Sequence, residues 1–525
     1  MNKAKIWVPG LLLAALLIIG ACSPGGESPD SDGDNIMRVA LRAEPAHFDQ
    51  WAFPSGNLGL ISEAFYDGLI VFDNEGNAIP HLAESFEIIA HDEWRFTLRD
   101  GIKTHQGNDV DAEFIKRWVD SMWNTDPGSP IGSGWGPVTA NVVDRLTFTL
   151  HADQQLEAWI RRSALPYHMV WDVDHRDEVG ADEFSGMPSG TGPFIFKEWV
   201  RGEKIVGVAN PDYFLGKPEI DEVHFFFIPE SATQMLSLES GEVDMIDHVP
   251  AHEVQRLQND PGLDIVVVQE MRPATLMLNL QDPMMSDIRV RKGLAHAFDR
   301  QAMLEAQGAL AQPTEGHVHP GVQGYVPGLV YEHDPELAES LLNQAGWTRN
   351  DNGRFEKDGR PMSFQVSTAR GEFNLDYELA EMVQLQLSEF GVNSNIQVFD
   401  PRAYFDWVVS LPKTPDPEFQ ALTWFFGVRD GVPTHMYRLM YRTDEFYNVG
   451  HFSDPRYDEL VGIALETQDR EERLSAYEEM QHIIHENVIE WVFFTTNIVL
   501  GTDSRVKEFS MSPPQNVYWH KVRLE

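Results

Sequence analysis

The stretch GTGPFIFKEWV, residues 190–200, sets an apolar, aromatic-rich segment directly after a glycine-rich turn and predicts a strand from residue 192. Alternation of the same kind recurs in EVHFFFIP, residues 222–229. A helical pattern follows in SATQMLSLESGEVD, residues 231–244, with Ser231 as the predicted cap. Strands followed by a helix predict β-α units and a large α/β protein.

The N-terminal half adds strands and two helices to this pattern. A strand is predicted from Asn35 onward, helices at residues 58–69 and 111–123, and a β-meander around Trp94, Phe96 and Leu98. An acidic residue, Asp111, precedes the second helix in the position of a cap. The apolar spacing in these segments is that of elements buried on one face.

The C-terminal half is dominated by helical patterns. They are VRKGLAHAFDRQAML (290–304), HDPELAESLLNQAGW (333–347), FNLDYELAEMVQLQLSEFGV (373–392) and REERLSAYEEMQHIIHE (470–486), with a strand at VNSNIQVF (392–399). In the second helix Asp334 is the predicted cap, Pro335 lies in the first turn and Gly346 stands at the end.

The first 34 residues have the anatomy of an export signal. Lys3 and Lys5 precede an apolar run from Ile6 to Gly20, which is shorter than the roughly 20 residues that a spanning helix needs. The run ends at Cys22, the only cysteine of the chain. The ending IGAC resembles the bacterial lipoprotein box and predicts cleavage after residue 21, lipid attachment at Cys22 and a flexible tether at 22–34.

Composition excludes several classes of partner. The chain has 82 acidic and 40 basic residues and a formal net charge of −42, so nucleic acid and anionic membrane surfaces are poor partners. The acids are scattered along the chain, which favours a solubility adaptation over ligand steering, although both interpretations stay open.

No familiar catalytic motif stands out. His317 and His319 in GHVHPG, and His482 and His485 in HIIHE, lack the spacing of zinc hydrolases, so neither a metal nor a cofactor is predicted. The glycine clusters at 132–136 and 190–192 fit neither dinucleotide nor phosphate loops. Binding without chemistry is therefore the favoured class, and an exported hydrolase is the weak alternative.

Several blocks together resemble the extracytoplasmic solute-binding proteins, family 5, of peptide/nickel-type ABC transporters. They follow the family's order from about residue 37 to 500: PHLAESFEI (80–88), WRFTLRDGIKTHQG (94–107), GTGPFIFKEW (190–199), NPDYFLGKPEIDEV (210–223), SGEVDM (240–245), DIRVRKGLAHAFDR (287–300) and AESLLNQAGW (338–347).

The resemblance implies a two-lobed periplasmic-binding-protein fold with an additional inserted domain and a hinge-closed ligand cleft. Domain I would comprise residues 35–67, 186–275 and 488–525. The inserted domain II would span 68–185, and domain III would span 276–487. Closure of domain III on domain I would bury the ligand at their interface.

The resemblance also places the ligand on three segments, 50–57, 275–279 and 423–431. The residues expected to line the cleft are Trp51, Phe53, Ser55, Gly56, Met277, Trp424, Phe425, Phe426 and Asp430. Peptide binders of the family carry an aspartate three residues after a tryptophan of this segment, where it pairs with the α-amino group of the ligand. Here that position is Gly427, and Asp430 is the nearest acid, so Asp430 is the candidate anchor.

The sequence thus predicts a lipid-anchored receptor of an ABC importer in the cell envelope. It would capture a peptide or similar small polar solute and deliver it to the membrane permease. A nickel chelate or an oligosaccharide is the alternative ligand within the same family.

Overall fold

The computed structural model describes residues 35–525 except 46, 49–57, 75, 91, 125–137, 153–156, 158–159, 162–163, 166–168, 372, 415, 426 and 468. Its strands, β1 to β22 in chain order, are Ile36–Leu41, Ile70–Phe72, Ala78–Pro80, Ala83–Ala90, Glu93–Leu98, Val138–Val142, Thr147–Ala152, Phe194–Val200, Lys204–Ala209, Glu222–Phe227, Met245–Ile246, Leu263–Leu278, Ala311–Gln312, Thr348–Arg349, Phe355–Lys357, Arg360–Pro361, Ser363–Ala369, Asn393–Phe399, Ala421–Trp424, Glu490–Asp503, Val506–Lys507 and Arg523–Leu524.

Helices are concentrated in the second half of the chain. The α-helices, α1 to α14, are Leu58–Phe65, Ala112–Asn124, Val173–Val179, Ala181–Phe184, Ser231–Glu239, Ala251–Gln258, Ile288–Ala297, Arg300–Gln307, Pro335–Gln344, Asp376–Phe390, Pro401–Ser410, Thr434–Tyr441, Pro455–Glu466 and Arg470–Asn487. Short 3₁₀ helices lie at Gly308–Leu310 and Trp519–Lys521.

One 11-stranded sheet runs through most of the molecule. Its order is β18-β17-β19-β12-β20-β11-β1-β10-β9-β8, and β13 pairs with β20 beside this path. β1 pairs in parallel with β10 and β11, whereas β12, β19 and β20 pair antiparallel. The middle of the sheet therefore consists of strands from distant parts of the sequence.

The long strands β12 and β20 form the axis of this sheet. They have 16 and 14 residues and pair from Leu263–Asp503 to Met277–Glu490. Their ladder shifts register between Gln269 and Pro273 and again between Ala274 and Thr275. Irregularities of this kind bend a strand pair and redirect its side chains.

A separate four-stranded sheet, β4-β5-β7-β6, forms from residues 83–152. Trp94, Phe96 and Leu98 of β5 are buried, which confirms the alternation predicted for this meander. α2 packs beside β6, and the side chain of Asp111 accepts a hydrogen bond from Phe114 N at 2.8 Å, as expected of a helix cap. The sheet falls within the range predicted for domain II, whose limits stay a prediction.

The capping residues predicted for the helices are confirmed in part. Asp334 accepts from Leu337 N at 2.9 Å, and Gly346 adopts φ +89° after α9, where a side chain would be strained. Ser231 was the wrong cap, because α5 begins at Ser231 itself and Glu230 is the flanking residue, with no side-chain cap bond.

The single helix predicted at 290–304 is also wrong. The chain forms α7 and α8, with the extended residue Phe298 between them. Asp299 caps the second helix through Ala302 N at 2.9 Å, so this aspartate starts a new helix where apolar spacing alone suggests continuation. In α10, the apolar spacing of residues 373–392 predicts one buried face with Leu379, Val383, Leu387 and Phe390; the first three are fully buried, and Phe390 is half-buried.

Candidate functional site

A cavity opens beside the long strands. Elements from the whole length of the chain contribute to it, and the residues that line it are Leu41, Arg42, Leu60, Asp247, His248, Glu270, Arg272, Phe373, Asn374, Arg429, Ile498, Val499, Leu500, Met511 and Gln515. Charged side chains lie in two groups along its wall, with apolar side chains among them. This mixture of apolar surface and a few fixed polar groups is typical of a site for a small molecule.

The first charged group, the matched pair, consists of Arg42 and Asp247. These residues follow the ends of the parallel strands β1 and β11, so the sheet brings them together. Arg42 donates its backbone N–H to Asp247 Oδ2 at 3.1 Å, and its Nε lies 3.6 Å from Oδ1. Gln234 Nε2 also donates to Oδ1 at 3.0 Å. One guanidinium thus faces one well-bonded carboxylate.

His248 follows this pair on the wall. Burial lowers its pKa, and the positive charge of Arg42 lowers it further, to about 3. The imidazole is therefore neutral near pH 7, when it offers one donor and one acceptor nitrogen.

The second charged group, the Glu270 cluster, joins one carboxylate, Glu270, with the guanidinium groups of Arg272 and Arg429. Glu270 Oε2 accepts from Thr496 Oγ1 at 2.7 Å, and Oε1 accepts from Gln515 Nε2 at 2.8 Å. Arg272 Nε lies 3.9 Å from Oε1, and a terminal nitrogen of Arg429 lies 4.0 Å from it. The buried carboxylate of Glu270 thus lies within 4.0 Å of two guanidinium groups.

The register shift in the β12–β20 ladder explains this placement. Glu270 and Arg272 lie within the interrupted stretch between Gln269 and Pro273, where regular pairing does not hold them on the sheet face. Thr496 lies on β20, opposite this stretch. The cluster is therefore built at the bend in the strand pair.

An aromatic wall adjoins the Glu270 cluster. The ring of Phe373 stacks on Phe425 with centroids 5.5 Å apart and meets Trp424 edge-on at 6.3 Å. The guanidinium of Arg272 lies 5.9 Å from the centroid of Phe373, within cation–π range. Asn374, next along the chain, donates its amide to Asn497 O at 2.7 Å, which ties this loop to β20.

The predicted cleft residues that are described are not among the residues that line the cavity. Met277 is fully buried between β19 and β20, where it pairs with Leu422 and Glu490. Trp424 and Phe425 are buried and contact the cavity wall through Phe373.

Asp430 follows the cavity-lining Arg429 but is used in a turn. Its Oδ1 accepts from Val432 N at 3.0 Å, and its carbonyl accepts from Arg161 Nε. Its role as an amine anchor stays a prediction. Five further predicted site residues lie outside the described residues: Trp51, Phe53, Ser55, Gly56 and Phe426.

Both histidine motifs of the sequence meet in a buried cluster away from this cavity. His317 Nδ1 lies 2.7 Å from Glu490 Oε1, and both side chains are almost fully buried. The ring of His485 lies 5.8 Å from that of His317 and stacks on Tyr331 at 4.5 Å. Within the described part of the chain, no group of three or more His, Cys, Asp or Glu residues is arranged to hold a metal ion.

The cavity's own charged residues were missed by sequence reasoning. Arg42, Asp247, the pair Glu270 and Arg272, and Arg429 come from four separate segments. Arg429 lies within the predicted segment 423–431 but was not named as a site residue. The one available signal was a charged pair inside an apolar run, Glu270 and Arg272 in IVVVQEMRPATLML, residues 265–278.

Comparison with known proteins identifies the family. Residues 77–448 match the family described as bacterial extracellular solute-binding proteins, family 5. Di/tripeptide-binding protein 2 of Pseudomonas aeruginosa is 24% identical over 523 residues, covering 93% of this chain and 95% of that protein. The nickel-binding protein NikA of Staphylococcus aureus is 22% identical over 418 residues, with coverage of 79% and 80%.

A solved structure shares the fold. The dipeptide-binding protein of a Pseudoalteromonas species, in complex with Met-Leu, superposes with a TM-score of 0.79 at 18% identity. The superposition covers 93% of this chain and all of that one. The fold is therefore that of the family 5 periplasmic binding proteins, as the sequence predicted.

Proposed function

The chain belongs to the family 5 bacterial extracellular solute-binding proteins, and from this membership we propose that it is the substrate-binding receptor of an ABC importer. It captures a peptide or similar small polar solute in the cavity beside the long strands and delivers it to the membrane permease. The observation that carries this proposal is the cavity itself, where charged groups from distant segments converge among apolar side chains. The peptide assignment draws on the names of the dipeptide- and tripeptide-binding relatives.

Such a receptor only captures and releases its solute, and ATP hydrolysis by other subunits drives transport. The cavity must therefore bind its solute reversibly. Hinge closure around the ligand, with the closed form presented to the permease, is the motion we propose.

We place the protein in the cell envelope, tethered by a lipid on Cys22. The support is the sequence of residues 1–34, which lie outside the described residues. In the part of the chain that is described, no helix has the length and apolarity to span a membrane. Replacement of Cys22 by Ala should abolish incorporation of labelled fatty acid and release the protein from the membrane. A cleaved variant that stays on the membrane would contradict the tether.

A nickel chelate is the second candidate solute, because a nickel-binding relative covers most of the chain. His248 on the cavity wall offers a neutral imidazole to such a ligand. His317 is bonded to Glu490 and does not lie among the lining residues, so it adds nothing to this candidate.

The test is a thermal-shift screen of the full chain in mild detergent against dipeptides to pentapeptides, oligosaccharides and Ni²⁺ with histidine. A ligand that binds the native state raises the melting temperature. We expect peptides to raise it by several degrees. A rise with sugars or chelated nickel alone would keep the receptor but change its solute, and no rise with any member of the panel would contradict the proposal.

A further inference from the structure

We propose that Arg161 is a positioning residue for solute binding, because it holds the loop from which Arg429 reaches the cavity. We name this loop, residues 428–432, the cavity loop. The inference rests on the proposed function and deepens it, since it names a residue outside the cavity on which binding depends. Arg161 lies within residues 68–185, the range predicted for domain II, so the inserted domain would take part in binding.

Two hydrogen bonds within the cavity loop fix its local shape. The loop lies between β19 and α12 and belongs to neither. Gly431 N donates to Val428 O at 3.1 Å, and Val432 N donates to Asp430 Oδ1 at 3.0 Å. Bonds within a loop do not attach it to the rest of the protein, so the position of this loop depends on groups from other segments.

Arg161 supplies such a group from 269 positions earlier in the chain. Its Nε donates to the carbonyl oxygen of Asp430, the residue next to Arg429. A terminal nitrogen of Arg161 also lies close to Gly431, where an added Cβ would approach it to 3.1 Å. Gly431 adopts φ +74°, a conformation that residues with a side chain rarely adopt. The loop therefore leaves room for the guanidinium at the point where it turns.

The guanidinium of Arg161 is itself held in place. Its central carbon lies 5.1 Å from the centroid of the Phe72 ring, within cation–π range. Phe72 belongs to β2 and is fully buried. A terminal nitrogen of Arg161 lies 3.5 Å from Gly76 O. Because a buried ring fixes the guanidinium on one side, its Nε donor is preorganised for the carbonyl of the loop.

A second side chain near Arg161, that of Glu157, supports the cavity loop through one intermediate residue. Glu157 Oε1 accepts from Gln323 Nε2 at 2.9 Å. Gln323 in turn donates its backbone N–H to Gly431 O at 2.9 Å. A terminal nitrogen of Arg473, whose side chain is only 7% exposed, lies 3.7 Å from the other oxygen of Glu157. Glu157 thus fixes Gln323, and Gln323 holds the residue that follows Asp430.

Apolar packing attaches both ends of the cavity loop. Val432 is only 2% exposed and belongs to the same apolar core as Phe72. Val428, at the other end of the loop, packs in a different core together with Trp424. The loop therefore spans two cores, and Arg161 holds the end that packs with Phe72.

The position of the cavity loop decides where Arg429 lies in the cavity. Arg429 directly precedes Asp430, and one of its terminal nitrogens lies 4.0 Å from Glu270 Oε1. If the carbonyl of Asp430 loses its donor, the loop can leave this arrangement and Arg429 moves with it. Binding then weakens in proportion to the time that the loop spends elsewhere, so that a competent fraction of about one tenth raises Kd about tenfold.

Calorimetric titration of the full chain in mild detergent tests this inference. The probes are Met-Leu, a galacto-oligosaccharide and Ni²⁺ with histidine, and the probe that the parent binds is titrated into the variants. Arg161→Met keeps an apolar stem against Phe72 and removes the donors, so we expect Kd to rise about tenfold. Arg161→Lys can donate to the same carbonyl and should stay within about threefold of the parent. Arg145→Met, at an exposed arginine of the same predicted domain, is the matched control and should leave Kd unchanged.

Hydrogen exchange separates positioning from general stability. In the solute-free protein, the amides of residues 428–432 should exchange faster in Arg161→Met than in the parent, whereas those of the four-stranded sheet should exchange as before. The melting temperature of the solute-free variant should change little. Faster exchange throughout the molecule, with a lower melting temperature, would show general destabilisation and overturn the positioning role.

The outcomes also separate this inference from the proposed function. An equal Kd in the parent and in Arg161→Met would overturn the positioning role and leave the receptor standing. A parent that binds none of the probes would contradict both. If Arg161→Met does not fold, Glu157→Ala decides instead, because loss of the bond to Gln323 should raise Kd about threefold. An unchanged Kd in that variant would overturn the inference.

Discussion

The two charged groups that line the cavity both consist of arginine and acidic side chains, but they differ in arrangement and in burial. Arg42 and Asp247 match one charge to one, and further hydrogen bonds from backbone and Gln234 complete the carboxylate. Glu270 instead stands between Arg272 and Arg429. The matched pair holds a partly exposed guanidinium, whereas the Glu270 cluster holds both its carboxylate and the Arg429 guanidinium in a buried setting. The two ends should therefore differ in how much a substitution costs.

Removal of the shared carboxylate should have the largest effect on stability. Glu270→Ala leaves two guanidinium groups close together in a buried setting, and we expect it to lower the free energy of unfolding by about 3–5 kcal/mol in urea denaturation. Glu87→Ala, which removes an exposed partner of Arg95, is the control and should cost less than about 1 kcal/mol. Similar losses in both variants would show that the buried Glu270 carboxylate contributes no more to stability than an exposed one.

Loss of one anchor of Glu270 should have an intermediate effect. Thr496→Val keeps the shape of the side chain but removes the hydroxyl that donates to Glu270 Oε2. We expect a loss of about 1–3 kcal/mol in the free energy of unfolding, because a buried carboxylate oxygen loses its donor. A variant as stable as the parent would indicate that water replaces the hydroxyl.

The third prediction concerns His248, beside the matched pair, and the pH dependence of stability. The pKa of His248 is about 3 in the folded chain, below the usual value near 6.5, so between these values the unfolded chain binds a proton that the folded chain does not. The stability therefore falls as the pH falls from about 6.5 toward 3. His248→Gln should reduce this slope by up to about 1.4 kcal/mol per pH unit.

Urea denaturation at several pH values between 7 and 4 measures this slope. The exposed neighbour His252 provides the control variant, His252→Gln, which should leave the slope as it is. An equal slope in the parent and in His248→Gln would contradict the buried, neutral imidazole.

The smallest effect is expected at Arg42. Its side chain is 35% exposed, and Asp247 keeps its hydrogen bonds from the Arg42 backbone and Gln234 when the guanidinium is removed. Arg42→Gln should therefore cost less than about 1 kcal/mol in stability. A loss of several kcal/mol would show that the Arg42 side chain is needed to hold Asp247.

Local elements of the fold were predictable because their determinants are local. The capping residue Asp334, the terminal Gly346 and the buried face of α10 follow from short-range spacing. The break between α7 and α8 was not predicted, because the apolar periodicity continues across it and Asp299 was not recognised as a helix cap. The family resemblance, carried by motifs spread over the chain, supplied the fold itself.

The cavity was not predictable in the same way. Its wall joins segments that lie up to hundreds of residues apart, and the partners of Glu270 come from the loop after β19, from β20 and from the C-terminal segment. The two central strands were not predicted, because continuous apolar runs such as WVFFTTNIVL, residues 491–500, show no alternation. Which distant residues meet at the cavity cannot be read from the sequence until the order of strands in the sheet is known.

The broken ladder between β12 and β20 has a mechanical consequence. A strand pair bends most easily where its hydrogen bonds are interrupted, and Glu270 and Arg272 lie at that weak point. Thr496 of β20 donates to Glu270 of β12 across this gap, so a side-chain hydrogen bond links the two strands where their backbone ladder is interrupted. The curvature of the sheet at this point would therefore depend on the side chains of the Glu270 cluster.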